Sequence, residues 1–441
     1  MNLVELSACE ATARIRKGEI TSEELVRASL DRIEQVDGDI KAWVHLKPDY
    51  ALEQARRLDA LRSAGGPLGP LHGVPVGLKD IIDTKSLPTE NGTVLDSGRC
   101  PMEDSSVASL LKEAGAVILG KTVSTELAVY SPGETANPHN TDHTPGGSSS
   151  GSAAAVAAYM VPLAVGTQTN GSIIRPASYC GVLGFKPTHG LIPRTGILRQ
   201  SPPLDTVGTF ARSIEDIALL TEALIAYDAA DRHTRPRAKP PLCDTVPQEP
   251  PLTPVIAFAK TPVWDQAETE TQEAFMELVE FLGDDCHDLP LSDPFDHVVD
   301  LHRYIMFADL AKNYATYYDK GKDKLSSTLC DMIETGQKIS AVDYNSAVEA
   351  QETLNAYLDD VFDHYDFIVT PATTGEAPEG LDATGNPCFC TLASFCGMPS
   401  ITLPLMEGAN GLPLGVQVIG PRGDDARLLR NANWLMQKVL G

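Results

Sequence analysis

Thr144-Pro-Gly-Gly-Ser-Ser-Ser-Gly-Ser-Ala-Ala-Ala-Val-Ala-Ala158 and, eight residues on, Gly166-Thr-Gln-Thr-Asn-Gly-Ser-Ile-Ile-Arg-Pro-Ala177 decide how this chain folds and what it does. Two glycine-rich loops present Ser148 and Ser172, with a small-residue stretch and an apolar run between them. Glycines let a backbone turn tightly and bring main-chain N–H donors close to a reacting group. Upstream, Lys79 stands in the apolar run Val74-Pro-Val-Gly-Leu-Lys-Asp-Ile-Ile82. Desolvation in such a run disfavours the ammonium form, and a neutral lysine is a usable base. Two serines and a lysine so placed predict a hydrolase that works without histidine, metal or cofactor.

Outward from this segment, hydrophobic periodicity alternates between helix and strand. Helices are predicted over 3–16, over 22–36 behind the cap residue Thr21, over 49–63, 105–113, 152–159, 213–227 and 425–439. Strands are predicted over 74–82, 116–119, 161–166, 367–370, 400–403 and 413–419. The alternation points to an α/β layer architecture. Residues 229–254 carry seven prolines and read as a long surface connection, and 266–365 reads as mostly helical. The expected organisation is one α/β domain over 1–441. It comprises N-terminal helices (1–66), a catalytic core (67–228), a variable helical cap (229–365) and a return to the core sheet (366–441).

Composition bounds the function. The 441 residues carry a formal net charge of −25, which disfavours nucleic acid and anionic membrane surfaces as partners. The N-terminus lacks the apolar stretch of a signal peptide, and no run is long and apolar enough to span a bilayer. Nine scattered cysteines suit reduced thiols and a cytoplasmic location better than a disulfide framework. Cys388-Phe-Cys390 has the wrong spacing for a zinc knuckle and reads as packing.

Two other motifs compete. Gly115-Ala-Val-Ile-Leu-Gly-Lys-Thr122 matches the phosphate-loop pattern letter for letter. Its variable positions form an apolar strand, whereas a phosphate cradle needs a free loop between strand and helix. Gly147-Ser-Ser-Ser-Gly151 matches a nucleophile elbow centred on Ser149, but the preceding Ala136–Pro145 is polar and proline-broken rather than a buried strand. His72 and His139 have no carboxylate partner in a recognisable motif and read as structural.

The segment from Gly146 to Ala177 resembles the signature of the amidase signature family, which includes fatty acid amide hydrolase and the A-type chain of glutamyl-tRNA amidotransferase. Gly73-Val-Pro-Val-Gly-Leu-Lys-Asp80, Gly181-Val-Leu-Gly-Phe-Lys-Pro-Thr188, Asp366-Phe-Ile-Val-Thr-Pro371, Gly385-Asn-Pro387 and Gly411-Leu-Pro-Leu-Gly-Val-Gln417 extend the resemblance over nearly the whole chain. It is weakest from about residue 229 to 365. The resemblance implies one large domain with a mixed twisted sheet flanked by helices. It further implies Ser172 as nucleophile, Ser148 as a bridging serine behind a cis peptide, and Lys79 as base. Thr169, Asn170, Gly171 and Ser172 fall at the oxyanion-hole positions, and Ser149 and Thr167 at supporting hydroxyl positions. Gln168 stands where the family commonly has Asp, and Ile174 where it has Arg, with Arg175 one position later; this looks like a coupled exchange.

These residues predict a relay in which Lys79 draws a proton from Ser148 and Ser148 from Ser172, while backbone amides hold the oxyanion. The expected substrate is a small or aromatic amide cleaved by a stand-alone enzyme. A carbamate (urethane) or ester, or ammonia delivery within a multiprotein amidotransferase, are the alternatives. Tyr130 is a candidate for lining the pocket, with core packing the equal alternative. A small-molecule amide or carbamate is the expected partner, and a homodimer is compatible with the chain.

Overall fold

The computed structural model describes residues 2–291 and 293–441, and a mixed eleven-stranded sheet runs through it. In chain order the strands are β1 (Trp43–Leu46), β2 (Pro75–Lys79), β3 (Val117–Thr122), β4 (Leu163–Gln168), β5 (Leu183–Lys186) and β6 (Thr206–Ala211). They continue with β7 (Ile256–Ala259), β8 (Cys286–Leu289), β9 (Phe367–Pro371), β10 (Ser400–Glu407) and β11 (Pro413–Ile419). Across the sheet the order is β1-β3-β2-β4-β6-β5-β10-β11-β9-β7-β8. β2 runs parallel to both β3 and β4. From β4 through β6, β5, β10 and β11 to β9 the pairings are antiparallel. β9, β7 and β8 are again parallel.

Every residue of β2 and β3 is buried, as expected of strands covered on both faces. The helix Ser150–Ala157 has no polar face because its small residues sink against the sheet. A side-chain carbon at Gly151 would sit 2.2 Å from the Ala42 carbonyl oxygen, so only glycine fits there. At the N-terminus, Ser7 with Glu10 and Thr21 with Glu24 form complete capping boxes. Each such cap is worth about 1 kcal/mol. They start the helices Ala8–Lys17 and Ser22–Ile40.

Every predicted helix and strand occurs, with shifted ends. The segment over 3–16 is two pieces, a short 3-10 turn Leu3–Glu5 and then the helix Ala8–Lys17. Five strands escaped the periodicity: β1, β5, β6, β7 and β8. Four of them have only four residues, too few to display a period, and β6 contains Gly208 and no polar–apolar alternation. Two of these, β7 and β8, fall within the 229–365 stretch read as a helical cap and add strands to the far end of the central sheet. The proline-rich connection also differs from a plain surface loop: Leu242 and Val246 are buried in the main core. The helices of 295–362 build a second apolar cluster that reaches Leu127, Ile368 and Phe395.

Candidate active site

The C-terminal end of β2 delivers Lys79 into the interior, where its side chain is fully buried. Its Nζ donates to Ser148 Oγ at 2.6 Å and to Thr167 Oγ1 at 3.0 Å. Among the described residues it has no salt-bridge partner. Burial pushes the Lys79 ammonium well below its usual range; the Asp205 carboxylate opposes this and the Arg175 guanidinium adds to it. Thr167 is the penultimate residue of β4, which pairs directly with β2, so adjacent parallel strands hold base and hydroxyl in reach.

Ser148 follows a cis Gly147–Ser148 peptide and leads into the helix Ser150–Ala157. Arg175 Nη2 donates to the Gly147 carbonyl at 2.7 Å and to Thr384 Oγ1 at 3.3 Å. Arg175 is fully buried, and its Nε and Nη1 have no partner among the described residues. Ser149 is occupied elsewhere: its Oγ donates to the Thr167 carbonyl at 3.2 Å and accepts the Thr167 N–H at 3.3 Å. That sews the serine loop to β4 and leaves the elbow reading without support. The two serine loops meet where the Ser149 N–H donates to the Ser172 carbonyl at 3.3 Å.

Ser172 lies in the loop between β4 and the helix Ile174–Tyr179 and is 7% exposed. Gly171 takes φ of 75°, a left-handed angle that favours glycine. Gln168 anchors this loop: its Oε1 accepts the N–H groups of Ile173 at 2.8 Å and Ile174 at 3.1 Å, and its Nε2 donates to Ser394 Oγ at 3.0 Å. An amide oxygen thus takes both backbone donors without burying a charge. Gln168 and Arg175 serve different loops, one the Ser172 turn and the other the Ser148 turn. The Asn170 Nδ2 reaches Thr391 Oγ1 at 3.2 Å. Among the described residues, no acceptor in the protein takes the N–H of Asn170, Gly171 or Ser172. Backbone N–H groups without a protein partner are uncommon in folded chains, and such donors at the Ser172 turn suit a negatively charged oxygen.

Thr169, the first residue of this loop, donates its hydroxyl to Asp205 Oδ1 at 2.6 Å and to Gln200 Oε1 at 3.0 Å. Burial pushes the Asp205 carboxyl up to about 6, against hydrogen bonds from Thr169, Ser201 and Gln200. A cavity of about 350 Å³ opens beside Thr167 and Thr169, walled by Arg194, Gln200, Asp205 and Asn313. Tyr130 does not line this cavity. It is half-buried against the second apolar cluster, and burial pushes its hydroxyl pKa up against the opposing Arg175 charge. His72 bonds the Leu58 carbonyl at 3.1 Å and His139 the Cys180 carbonyl at 3.0 Å, so each is tied to the fold. The phosphate-loop look-alike is the buried strand β3.

Sequence reasoning missed Asp205, Thr384, Thr391, Ser394 and, on the helix Val298–Asn313, His302. None belongs to a local motif; each meets the serine loops only through folding.

A buried lysine hydrogen-bonded to a serine hydroxyl, beside backbone amides that no protein acceptor takes among the described residues, is an arrangement suited to attack on a carbonyl carbon. Residues 24–429 match the family model described as Amidase. The A-type chain of the glutamyl-tRNA(Gln) amidotransferase from Natranaerobius thermophilus is 31% identical over 100% of this chain and 96% of its own. Among solved structures, peptide amidase from Stenotrophomonas maltophilia superimposes with a TM-score of 0.86 at 28% identity, covering 99% of this chain and 97% of that one. A chain from the vestigial protein complex tied to the origins of an s-triazine catabolic enzyme superimposes with a TM-score of 0.91 at 26% identity, covering 98% of both. The chain belongs to the amidase family.

Proposed function

We propose that this protein is a stand-alone amidohydrolase that cleaves the C–N bond of small or aromatic amides through an acyl-enzyme on Ser172. The observation that carries this is Lys79: buried, without a carboxylate partner among the described residues, and hydrogen-bonded to hydroxyls alone. Neutral Lys79 takes the proton of Ser148, and Ser148 takes that of Ser172 as its Oγ bonds to the carbonyl carbon. The carbonyl oxygen gains the electron pair and rests against the N–H groups of Asn170, Gly171 and Ser172. One such donor contributes roughly 3–4 kcal/mol to the transition state. When the C–N bond breaks, the proton returns along the relay to the leaving amine. Water then repeats the attack on the acyl-enzyme and frees the acid.

The same relay serves a carbamate or an ester, because each passes through a tetrahedral oxyanion. A second reading, ammonia delivery within a multiprotein amidotransferase, is favoured by the full-length similarity to the A-type chains of such enzymes. The test is release of 4-nitroaniline from a matched acyl anilide and carbamate by wild type and Ser172→Ala. Cleavage lost in the variant supports the hydrolase, and the ratio of the two rates separates amidase from urethanase. No release by wild type, with glutaminase activity appearing only beside added partner proteins, supports the second reading.

A further inference from the structure

Polar side chains on the helix Val298–Asn313 grip the Ser172 side of the site. His302 Nε2 lies 3.1 Å from the Thr169 carbonyl oxygen. Asp309 accepts the Ser201 hydroxyl at 2.8 Å, and Asn313 Nδ2 donates to the Gln200 carbonyl at 2.9 Å. Residues 309 and 313 stand seven and eleven positions after 302, which places all three on one stripe of an α-helix. The loop that Asp309 and Asn313 touch is the one whose Gln200 and Asp205 hold the Thr169 hydroxyl. Thr169 is therefore held twice, by its side chain from the 200–205 loop and by its carbonyl from this helix.

A carbonyl oxygen only accepts, so His302 carries its proton on Nε2 and donates it. Burial lowers the His302 pKa to about 4, which leaves a neutral ring with that single N–H committed to Thr169. In a trans peptide the C=O of one residue and the N–H of the next point in opposite directions. Holding the Thr169 carbonyl against His302 therefore turns the Asn170 N–H to the other side, where it has no acceptor among the described residues.

We infer that His302 is a positioning residue of the oxyanion loop, which orients the Thr169–Asn170 peptide so that the Asn170 N–H is available to the developing oxyanion. The inference rests on the hydrolase reading proposed above. It makes the weakly resembling 229–365 region part of the catalytic apparatus rather than only a cover.

The test uses a fluorophosphonate, whose phosphonyl oxygen gains negative charge in the same cradle as Ser172 Oγ bonds to phosphorus and fluoride leaves. Labelling rates are compared for wild type, His302→Ala, His302→Gln and His302→Met, with the unfolding midpoint of each. Gln and Met have similar length, but only Gln supplies an N–H donor. The expected result is a 10- to 100-fold slower rate for Ala and Met, with Gln within about threefold of wild type. If the Ala variant does not fold, the Gln and Met pair alone decides. Met labelling as fast as Gln, or Gln as slow as Met, overturns the inference, since the donor would then not matter. Failure of wild type to label at Ser172 is a different outcome: it removes the hydrolase reading itself, and this inference with it.

Discussion

Lys79 and Lys121 stand on neighbouring strands and differ in everything except burial. β2 and β3 pair so that Leu78 faces Lys121 and Lys79 faces Thr122, which sends the two lysines to opposite sides of the sheet. Both side chains are fully buried. Lys121 is surrounded by acceptors: the Ile82 carbonyl at 2.7 Å, Thr89 Oγ1 at 2.7 Å and the Asp80 carboxylate at 3.4 Å. Burial lowers it only to about 8, because Asp80 favours the charged form. Lys79 has hydroxyls and no carboxylate in contact among the described residues; burial lowers it, and the more distant Asp205 carboxylate and the Arg175 guanidinium act on it in opposite senses. The difference teaches that burial makes a lysine available for titration, and its partners decide whether it becomes an ion-pair strut or a base.

The comparison breaks most severely at the nucleophile side. Ser172→Ala and Lys79→Met are each expected to lower hydrolysis by on the order of 10⁴–10⁶-fold, measured as nitroaniline release. Lys121→Met, if folded, should label with fluorophosphonate at the wild-type rate. Slow labelling there would erase the distinction between the two lysines.

Acidification tests the same point. A lysine whose folded pKa is depressed is neutral above that pKa and protonated below it, so kcat/KM should fall about tenfold per pH unit once pH drops below the Lys79 value. The limb should be unchanged in Lys121→Met. A rate flat down to mildly acidic pH would contradict a neutral-lysine base.

Stability should respond in the opposite sense. Lys121→Met leaves the buried Asp80 carboxylate without its partner and is expected to cost about 3–5 kcal/mol in urea unfolding. Adding Asp80→Asn should recover part of that loss. Because the folded state binds fewer protons at Lys121 than the unfolded chain between pH 8 and 10.5, its contribution makes stability rise with pH across that window. The variant should lose that rise.

The smallest effect is expected at the exposed Lys41, 2.7 Å from Glu134 in water. Lys41→Ala should leave the unfolding midpoint unchanged within error, as is usual for exposed pairs. A large shift would mean that pairing at Lys41, rather than burial at Lys121, governs the energetics.

Much of this site was legible along the chain. The spacing of glycines and small residues in 144–177 marks two turns, a buried helix and a strand, and the apolar surroundings of Lys79 mark it as desolvated. The same signal around Lys121, in Val117-Ile-Leu-Gly-Lys-Thr122, did not reveal its role, because Asp80, Ile82 and Thr89 reach it only across the sheet. His302 was hidden for a related reason. Its helix alternates buried Ile305, Met306 and Leu310 with the polar stripe, but nothing local says which loop that stripe will meet. The short strands β7 and β8 at the far end of the sheet lacked the length to show a period.

The sequence by itself determined the α/β class, the family, and the residue types of the lysine and two serines, because these depend on local turns, apolar runs and a contiguous motif. Only the tertiary structure decided which buried lysine lacks a carboxylate, which amides stay unpaired, and which helix holds the Thr169 carbonyl. Those properties depend on partners distant along the chain, 69 residues away for Lys79 and Ser148 and 133 for Thr169 and His302, and charge state and hydrogen-bond orientation are set by such neighbours rather than by chain order.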